Sequence, residues 1–427
     1  MDKFYTEPEH KIPIYANVDV LVLGGGVAGV SAAVMAARQG AKVLVVDTAN
    51  AIGGMSTTGL MSHFTGTVKS TLFSEIITRM GEKRDSESYN AAPHFIDPEA
   101  LKEIYLEMLE EAGAEVLLYT MACLPIMDGE RVIGAIVENK NGRQAIMAKV
   151  VVDATGDGDI AARAGVPYYE GREEDGAEQP ATLMFKLGGV DMSRAVLPGS
   201  FETLVDTEKG ELQALAKSIL PFPAGHVLLY PSSLPGVVTV NMTNAIEIDG
   251  TDAASLTKAE KICRSQMEPI VKFLREYAPG YEHCFVVSAA AMMGVRETRH
   301  FEGLYTLTKE DILAKCTFDD WIVREAKFNF DVHNMSGASL DKTGVQKFFP
   351  QDNSYQIPYR CCVPKKVEGL LLAGRLISGT HMAHSNYRSM PICVGIGEAV
   401  GTAAALAALS GCRVRDVDIS AVQEIIK

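Results

Sequence analysis

Three glycines spaced Gly24-x-Gly26-x-x-Gly29, set between an apolar run and a helical pattern, constrain this chain more than any other feature. Residues 18–23 read as a buried strand and 27–39 as a helix of Ala and other small residues, which Gly40 would end in a left-handed cap. Residues 42–46 read as a second buried strand, completing a βαβ unit. In that setting Gly24 permits the tight turn, Gly26 lets a pyrophosphate reach the backbone, and Gly29 lets the helix press on the strand. The phosphate charge then meets the helix N-terminus. Asp47 ends the second strand, where a carboxylate accepts hydrogen bonds from a ribose 2′-hydroxyl and repels a 2′-phosphate.

Downstream, residues 53–92 are rich in Gly, Thr and Ser and carry no clear period. Asp97-Pro98 opens a helix whose apolar face is Leu101, Ile104, Tyr105, Met108 and Leu109, and Gly113 ends it. Residues 115–119, 131–137 and 144–152 read as strands, the last two joined by an Asn141-Gly142 turn. The last runs into Ala154-Thr155-Gly156-Asp157. From about 165 to 356 the pattern changes to scattered strands, a long helix near 256–277 and a capping-box start at Thr308 and Asp311. A buried strand at 369–373, the Gly374-Arg375 turn and a Gly-rich loop before an Ala-rich helix (395–409) then close the chain.

These readings give an α/β fold, a Rossmann-like nucleotide domain split over residues 1–165 and 357–427, with an α+β substrate or cap domain (166–356) inserted. A plain nicotinamide dehydrogenase would continue with alternating βα units. The two returns, at Gly156-Asp157 and at Gly374-Arg375, suit a longer cofactor with contacts from distant parts of the chain.

The net charge of −14 argues against nucleic acid as a partner. No run approaches the roughly 20 apolar residues of a membrane span, so no membrane partner and a cytoplasmic location are expected. No Cys-x-x-Cys pair occurs among the eight cysteines, and adjacent Cys361 and Cys362 read as small buried hydrophobes in a strand-like stretch.

At 18–29, 45–59, 151–165, 294–299 and 369–401 the sequence resembles the FAD-dependent oxidoreductases of the glutathione-reductase-like two-dinucleotide-binding superfamily, closest to the bacterial branch called the FAD-dependent oxidoreductase family. The resemblance implies FAD, and a non-covalent link is expected because no His precedes a Gly-Gly pair, the usual place of a covalent flavin. It implies that Gly53, Gly54 and Met55 follow Asp47 along the adenosine and pyrophosphate, and that Ala122 contacts adenine through its backbone. Gly156 and Asp157 would lie near the pyrophosphate, and Gly374 and Arg375 near the ribityl chain. A loop at Gly395, Ile396 and Gly397 would aim amides and a helix N-terminus at the flavin pyrimidine edge, where reduced flavin is negative.

Between Gly379 and Pro391 lies the densest reactive set, His381, His384, Tyr387 and Arg388, expected as a loop over the isoalloxazine. Arg388 would bind an anionic or carbonyl oxygen with its planar fork. One of the histidines would accept a proton as hydride leaves for flavin N5. His384-x-x-x-Arg388 is similar to the His-Gly-x-Asn-Arg loop of fumarate reductase and succinate dehydrogenase flavoproteins, which holds a carboxylate, although Ser385 stands in place of the glycine. Two histidines three apart suit a metal, yet no third ligand stands out nearby, so none is expected. Arg296-Glu297-Thr298-Arg299 reads as an ion-pair cluster bracing two domains, with a substrate-facing role for Arg296 left open by its likeness to the family's Arg-Glu-x-Arg motif.

The expected function is hydride transfer between FAD and a small polar substrate bearing a carboxylate or hydroxyl. The alternatives are an electron-transfer subunit with a protein electron acceptor, and a binding protein with structural FAD. A homo-oligomer is compatible with the sequence.

Overall fold

The computed structural model describes residues 5–83, 94–341 and 354–427. Its main sheet is built on β1 (Ile14–Leu23), whose last four residues are completely buried, as a strand covered on both faces requires. Beside it lie β2 (Val43–Val46), β3 (Glu115–Leu117), β4 (Met121–Asp128), β5 (Arg131–Asn139) and β6 (Gly142–Asp153), in the order β3-β2-β1-β6-β5-β4. The β3-β2-β1-β6 part is parallel, and β4-β5-β6 is an antiparallel meander. The strand Leu370–Leu372 pairs in parallel with the end of β6, Leu372 opposite Asp153. Residues from both ends of the chain therefore share one sheet.

α1 (Val27–Arg38) follows β1 directly and buries all but its last residue. Gly40 takes φ +86°, the left-handed end expected of it. α2 (Thr71–Lys83) falls in the stretch that carries no clear period, and its face is only Leu72, Ile76 and Met80. The part of that stretch beyond residue 83 lies outside the described residues. α3 (Pro98–Ala112) starts where expected, with the Asp97 side chain accepting from the amides of Glu99 and Ala100. The sequence reading did not separate β4 from its neighbours, because its residues are mostly half-exposed.

A second sheet contains β7 (Phe185–Gly188), β8 (Leu229–Pro231), β9 (Val238–Val240) and β10 (Phe285–Ala289), antiparallel in the order β8-β9-β7-β10. α4 (Ala253–Tyr277) lays Ile270, Phe273 and Leu274 into the same core as Phe185, Leu187, Val238 and Val240. The capping box at Thr308 and Asp311 is present.

Two helices follow the Leu370–Leu372 strand. α5 is His381–Tyr387 and α6 is Met390–Ser410. α6 is long and apolar enough to cross a membrane, but 89% of its most apolar window is buried in the fold. It lies so close to α1 that a Cβ on Gly397 would stand 2.2 Å from the Ala28 carbonyl oxygen, and one on Gly401 2.0 Å from that of Ala32. Buried Glu398 reaches sideways and accepts from the Thr71 hydroxyl (2.5 Å) and the Leu72 amide (3.1 Å), capping α2. Cys361 and Cys362 are free and buried, in and just after a short helical turn rather than a strand.

Candidate active site

The Gly24-x-Gly26-x-x-Gly29 motif at the turn from β1 into α1 admits no side chain at two of its three glycines. Gly24 has φ +99° and would place a Cβ 2.3 Å from the Ala154 carbonyl oxygen; a Cβ on Gly29 would lie 1.8 Å from that of Gly24. The third, Gly26, is different. It caps α1 with no side-chain hydrogen bond, and a Cβ there would meet nothing within 4 Å. The first turn of α1 thus opens onto a cavity of about 410 Å³. Asp47 stands beside it, accepting from the amides of Gly25 (2.5 Å) and Ala49 (2.7 Å). Gly54, Met55, Gly156, Gly374 and Arg375 continue the wall. An open helix N-terminus, a glycine floor and an acid at the end of β2 fit the pyrophosphate and ribose of a dinucleotide.

The same cavity runs on to a charged end. Arg388 donates from Nη2 to the backbone carbonyl (2.8 Å) and carboxylate (2.9 Å) of Asp331. Arg296 donates to the Pro180 carbonyl oxygen (2.5 Å) and the Thr182 hydroxyl (2.8 Å). Burial, with Arg388 adding its charge, pulls the Arg296 guanidinium down to about 10. Burial opposes ionisation of Asp331, but His333, Arg388 and Arg296 outweigh it and hold the carboxyl below the usual range. His63 and His333 line the cavity too. Burial pushes each down to about 4, assisted by the charges of His94 and Arg296 respectively. Both are neutral at pH 7. His63 also packs against Tyr230, ring centroids 4.9 Å apart. Two guanidiniums thus face the half-buried carboxylate of Asp331; Glu202 lines the cavity as well but is solvent-exposed.

The family model described as FAD dependent oxidoreductase matches residues 19–426, nearly the whole chain. The chain belongs to this family. Its cofactor is FAD, and it is an FAD-dependent oxidoreductase. Among curated relatives, the digeranylgeranylglycerophospholipid reductase of Methanosphaerula palustris is 30% identical over 153 residues, 32% of this chain and 38% of the relative. The protein of the same name from Sulfolobus acidocaldarius is 30% identical over 152 residues, 32% of this chain and 34% of the relative. The chain thus matches little more than a third of either. A solved geranylgeranyl bacteriochlorophyll reductase-like protein from Thermoplasma acidophilum aligns with TM-score 0.50 at 15% identity, over 96% of this chain and 83% of that one. A flavin-dependent brominase aligns with TM-score 0.50 at 13% identity, over 96% and 82%. These likenesses show the fold.

In this oxidoreductase several residues expected at the cofactor stand elsewhere. Gly395, Ile396 and Gly397 form no loop: they lie inside α6, and Gly397 is the close-approach point to α1. The part of α6 that reaches the cavity is its N-terminus, Ser389-Met390, with Cys393 one turn on. Ala122 pairs with Val137 in β4 and does not line the cavity. Asp157 is also off the wall, where it accepts from Arg375 Nη2 (2.5 Å) and the Thr298 hydroxyl (2.9 Å). Gly29 and Gly53 support the turn from behind, the Gly53 amide donating to the Gly25 carbonyl oxygen at 2.7 Å.

The expected catalytic loop is the helix α5, and of its set only Arg388 lines the cavity. His381, His384 and Tyr387 are buried behind it. The Tyr387 hydroxyl donates to the Ile377 carbonyl oxygen at 2.9 Å, and burial raises its pKa far above the usual range. His381 donates from Nδ1 to Glu297 (2.6 Å). Burial, then the charge of His300, holds His384 well below its ordinary value. The Arg296–Arg299 cluster divides: Arg299 braces Asp159 (3.0 Å), as expected, whereas Arg296 enters the cavity.

Sequence reading missed His63, Tyr230, Asp331 and His333. One signal existed. Asn329, Asp331 and His333 alternate with Phe330 and Val332, and the polar set lines the cavity while the apolar pair enters the core.

Proposed function

We propose that this enzyme transfers a hydride between FAD and a small substrate that carries a carboxylate next to the reacting carbon, such as a hydroxy acid or an unsaturated acid. The observation that carries this reading is that Arg296 and Arg388, both largely buried, line the cavity that also holds the open N-terminus of α1. A buried guanidinium selects an anion because no water compensates its charge, and its fork matches a carboxylate. The charged end favours an acid over the isoprenoid chains named in the curated relatives.

When bound, FAD supplies a two-electron acceptor or donor. The chain's own work is positioning and proton handling. Arg388 and Arg296 hold the carboxylate, and Asp331 fixes Arg388 before the substrate arrives. When the substrate is oxidised its proton goes to His63 or His333, the two neutral imidazoles on the wall. In the reverse direction it returns from the same residue, taken up as an imidazolium, rather than passing through the buried His381 or His384. The sequence motifs also support a place for the chain in the glutathione-reductase-like superfamily.

Anaerobic mixing of the yellow protein with a panel of hydroxy acids, amino acids, polyols and sugars tests this. One acid should bleach the flavin, and Arg388→Ala should slow that bleaching by about 100-fold or more while keeping FAD bound. Bleaching by neutral polyols alone, or only by a protein donor, would overturn it. For the reverse direction, dithionite-reduced protein should be reoxidised by an unsaturated acid.

A further inference from the structure

Behind the cavity wall, four side chains meet that the proposed reaction does not use: Glu297, His300, His381 and His384, each at most 2% exposed. Glu297 Oε1 lies 2.6 Å from His381 Nδ1 and 2.8 Å from His300 Nε2. His300 Nδ1 lies 2.9 Å from the carbonyl oxygen of Gly379. A carbonyl only accepts, so that nitrogen carries the proton. A neutral His300 then turns a bare Nε2 toward a carboxylate oxygen, lone pair against lone pair. A positive charge must lie between them, either a proton or a metal ion.

The second observation favours a metal. His384 Nδ1 is buried and has no hydrogen-bond partner among the described residues, and a ring nitrogen of His384 falls within 4.8 Å of both the Glu297 and the His300 ligand atoms. An imidazolium on His300 would satisfy Glu297 but leave this nitrogen without a partner. The His300 and His384 rings meet edge to face, 80° apart with centroids separated by 5.1 Å. Tyr169 stacks on His300 and Tyr387 meets the edge of His384, so the pocket is walled.

We propose that Glu297, His300 and His384 bind one divalent transition-metal ion, such as zinc, through a carboxylate oxygen, Nε2 of His300 and a ring nitrogen of His384. Two imidazoles and a carboxylate are a common ligand set for such ions. The Gly379 carbonyl fixes the His300 tautomer that leaves Nε2 free to ligate, and His381 orients the Glu297 carboxylate. Glu173, which accepts from the Tyr169 hydroxyl (2.9 Å) and the His381 amide (3.0 Å), brings a second negative charge to offset the ion. None of the ligands lines the cavity, so the ion is structural. It ties the segment of Arg296, the chain neighbour of Glu297, to α5, which ends at Arg388.

FAD-loaded, tag-free protein, stripped with a mild chelator, incubated with Zn(II) or Co(II) and freed of excess by gel filtration, should carry roughly one metal per chain by mass spectrometry. His384→Ala and Glu297→Gln should each cut retention at least about tenfold, whereas Arg388→Ala should keep the metal. Co(II) bound at the site should also show ligand-field absorption beyond the flavin bands. Folded wild-type protein that retains less than about a tenth of an equivalent would overturn the site, whatever the variants do. So would metal retention in His384→Ala equal to wild type, or nitrogen-15 spectra of the untreated protein showing His300 protonated on both nitrogens.

Discussion

Arg388 holds Asp331 by two acceptors at once, the carboxylate at 2.9 Å and the same residue's backbone carbonyl at 2.8 Å. This grip fixes the guanidinium at the cavity wall before any ligand enters, and half-buried Asp331 is the counter-charge for both Arg388 and Arg296. Asp331→Asn removes that charge and leaves two guanidiniums facing each other. The free protein should lose about 1–3 kcal/mol of stability. A small dicarboxylate such as succinate should then raise the melting temperature of Asp331→Asn by more than it raises that of wild type. Equal shifts would show that the two arginines do not share an anion.

Two glycines of the first turn separate fold from ligand. Gly24→Ala forces a left-handed backbone onto a side chain and drives a Cβ into the Ala154 carbonyl, so it should cost about 1–3 kcal/mol and FAD together. Gly26→Ala brings its Cβ within 4 Å of nothing among the described residues. It should fold with a melting temperature near wild type when both are measured without FAD, yet bind FAD more weakly, read as a lower ratio of flavin to protein absorbance. Normal flavin content in Gly26→Ala would place the pyrophosphate elsewhere.

Such contrasts show what the sequence made legible. The strand-turn-helix at Gly24, the Asp97 cap, the Thr308 capping box and the Asn141-Gly142 hairpin are set by neighbours within a few residues, and all are where expected. What was not legible depends on long-range pairing. Glu297 meets His381 across 84 positions, and Asp331 meets Arg388 across 57. No local period reports either contact. The Gly395–Gly397 stretch misled for another reason: glycine serves a phosphate-binding loop and a helix crossing equally well, because both need a missing Cβ. The helix continuing through it, at Ala399 to Ala408, was the better guide.

That crossing gives a third prediction. Gly401→Ala would place its Cβ 2.0 Å from the Ala32 carbonyl oxygen, so α1 and α6 must part. The expected loss is about 1–3 kcal/mol, seen in urea unfolding. Since Gly401 does not line the cavity, variant protein that does hold FAD should retain a bleaching rate close to wild type. A large rate defect at full flavin occupancy would place Gly401 in the active site after all.

The buried histidines set a pH dependence whose sign follows from their shifts. Burial lowers His226 to about 3, and His333 and His63 to about 4, against an ordinary value of 6.5. Between those limits the unfolded chain binds protons that the folded chain refuses, so stability falls as pH drops through that window. Glu178 works the other way. Burial raises it to about 8, so the folded state keeps a proton that the unfolded state releases, and stability rises as pH falls toward 4.5. Three groups oppose one, and the protein should be less stable at pH 5 than at pH 7. His226 is the deepest of the three and donates from Nε2 to the Asn241 carbonyl, 3.0 Å away, so His226→Gln can keep a donor there without a titrating ring. Its unfolding free energy should fall by about 1–2 kcal/mol less than that of wild type between pH 7 and pH 5. Parallel pH profiles for the two proteins would mean that the imidazole is protonated in the fold, contrary to its buried position.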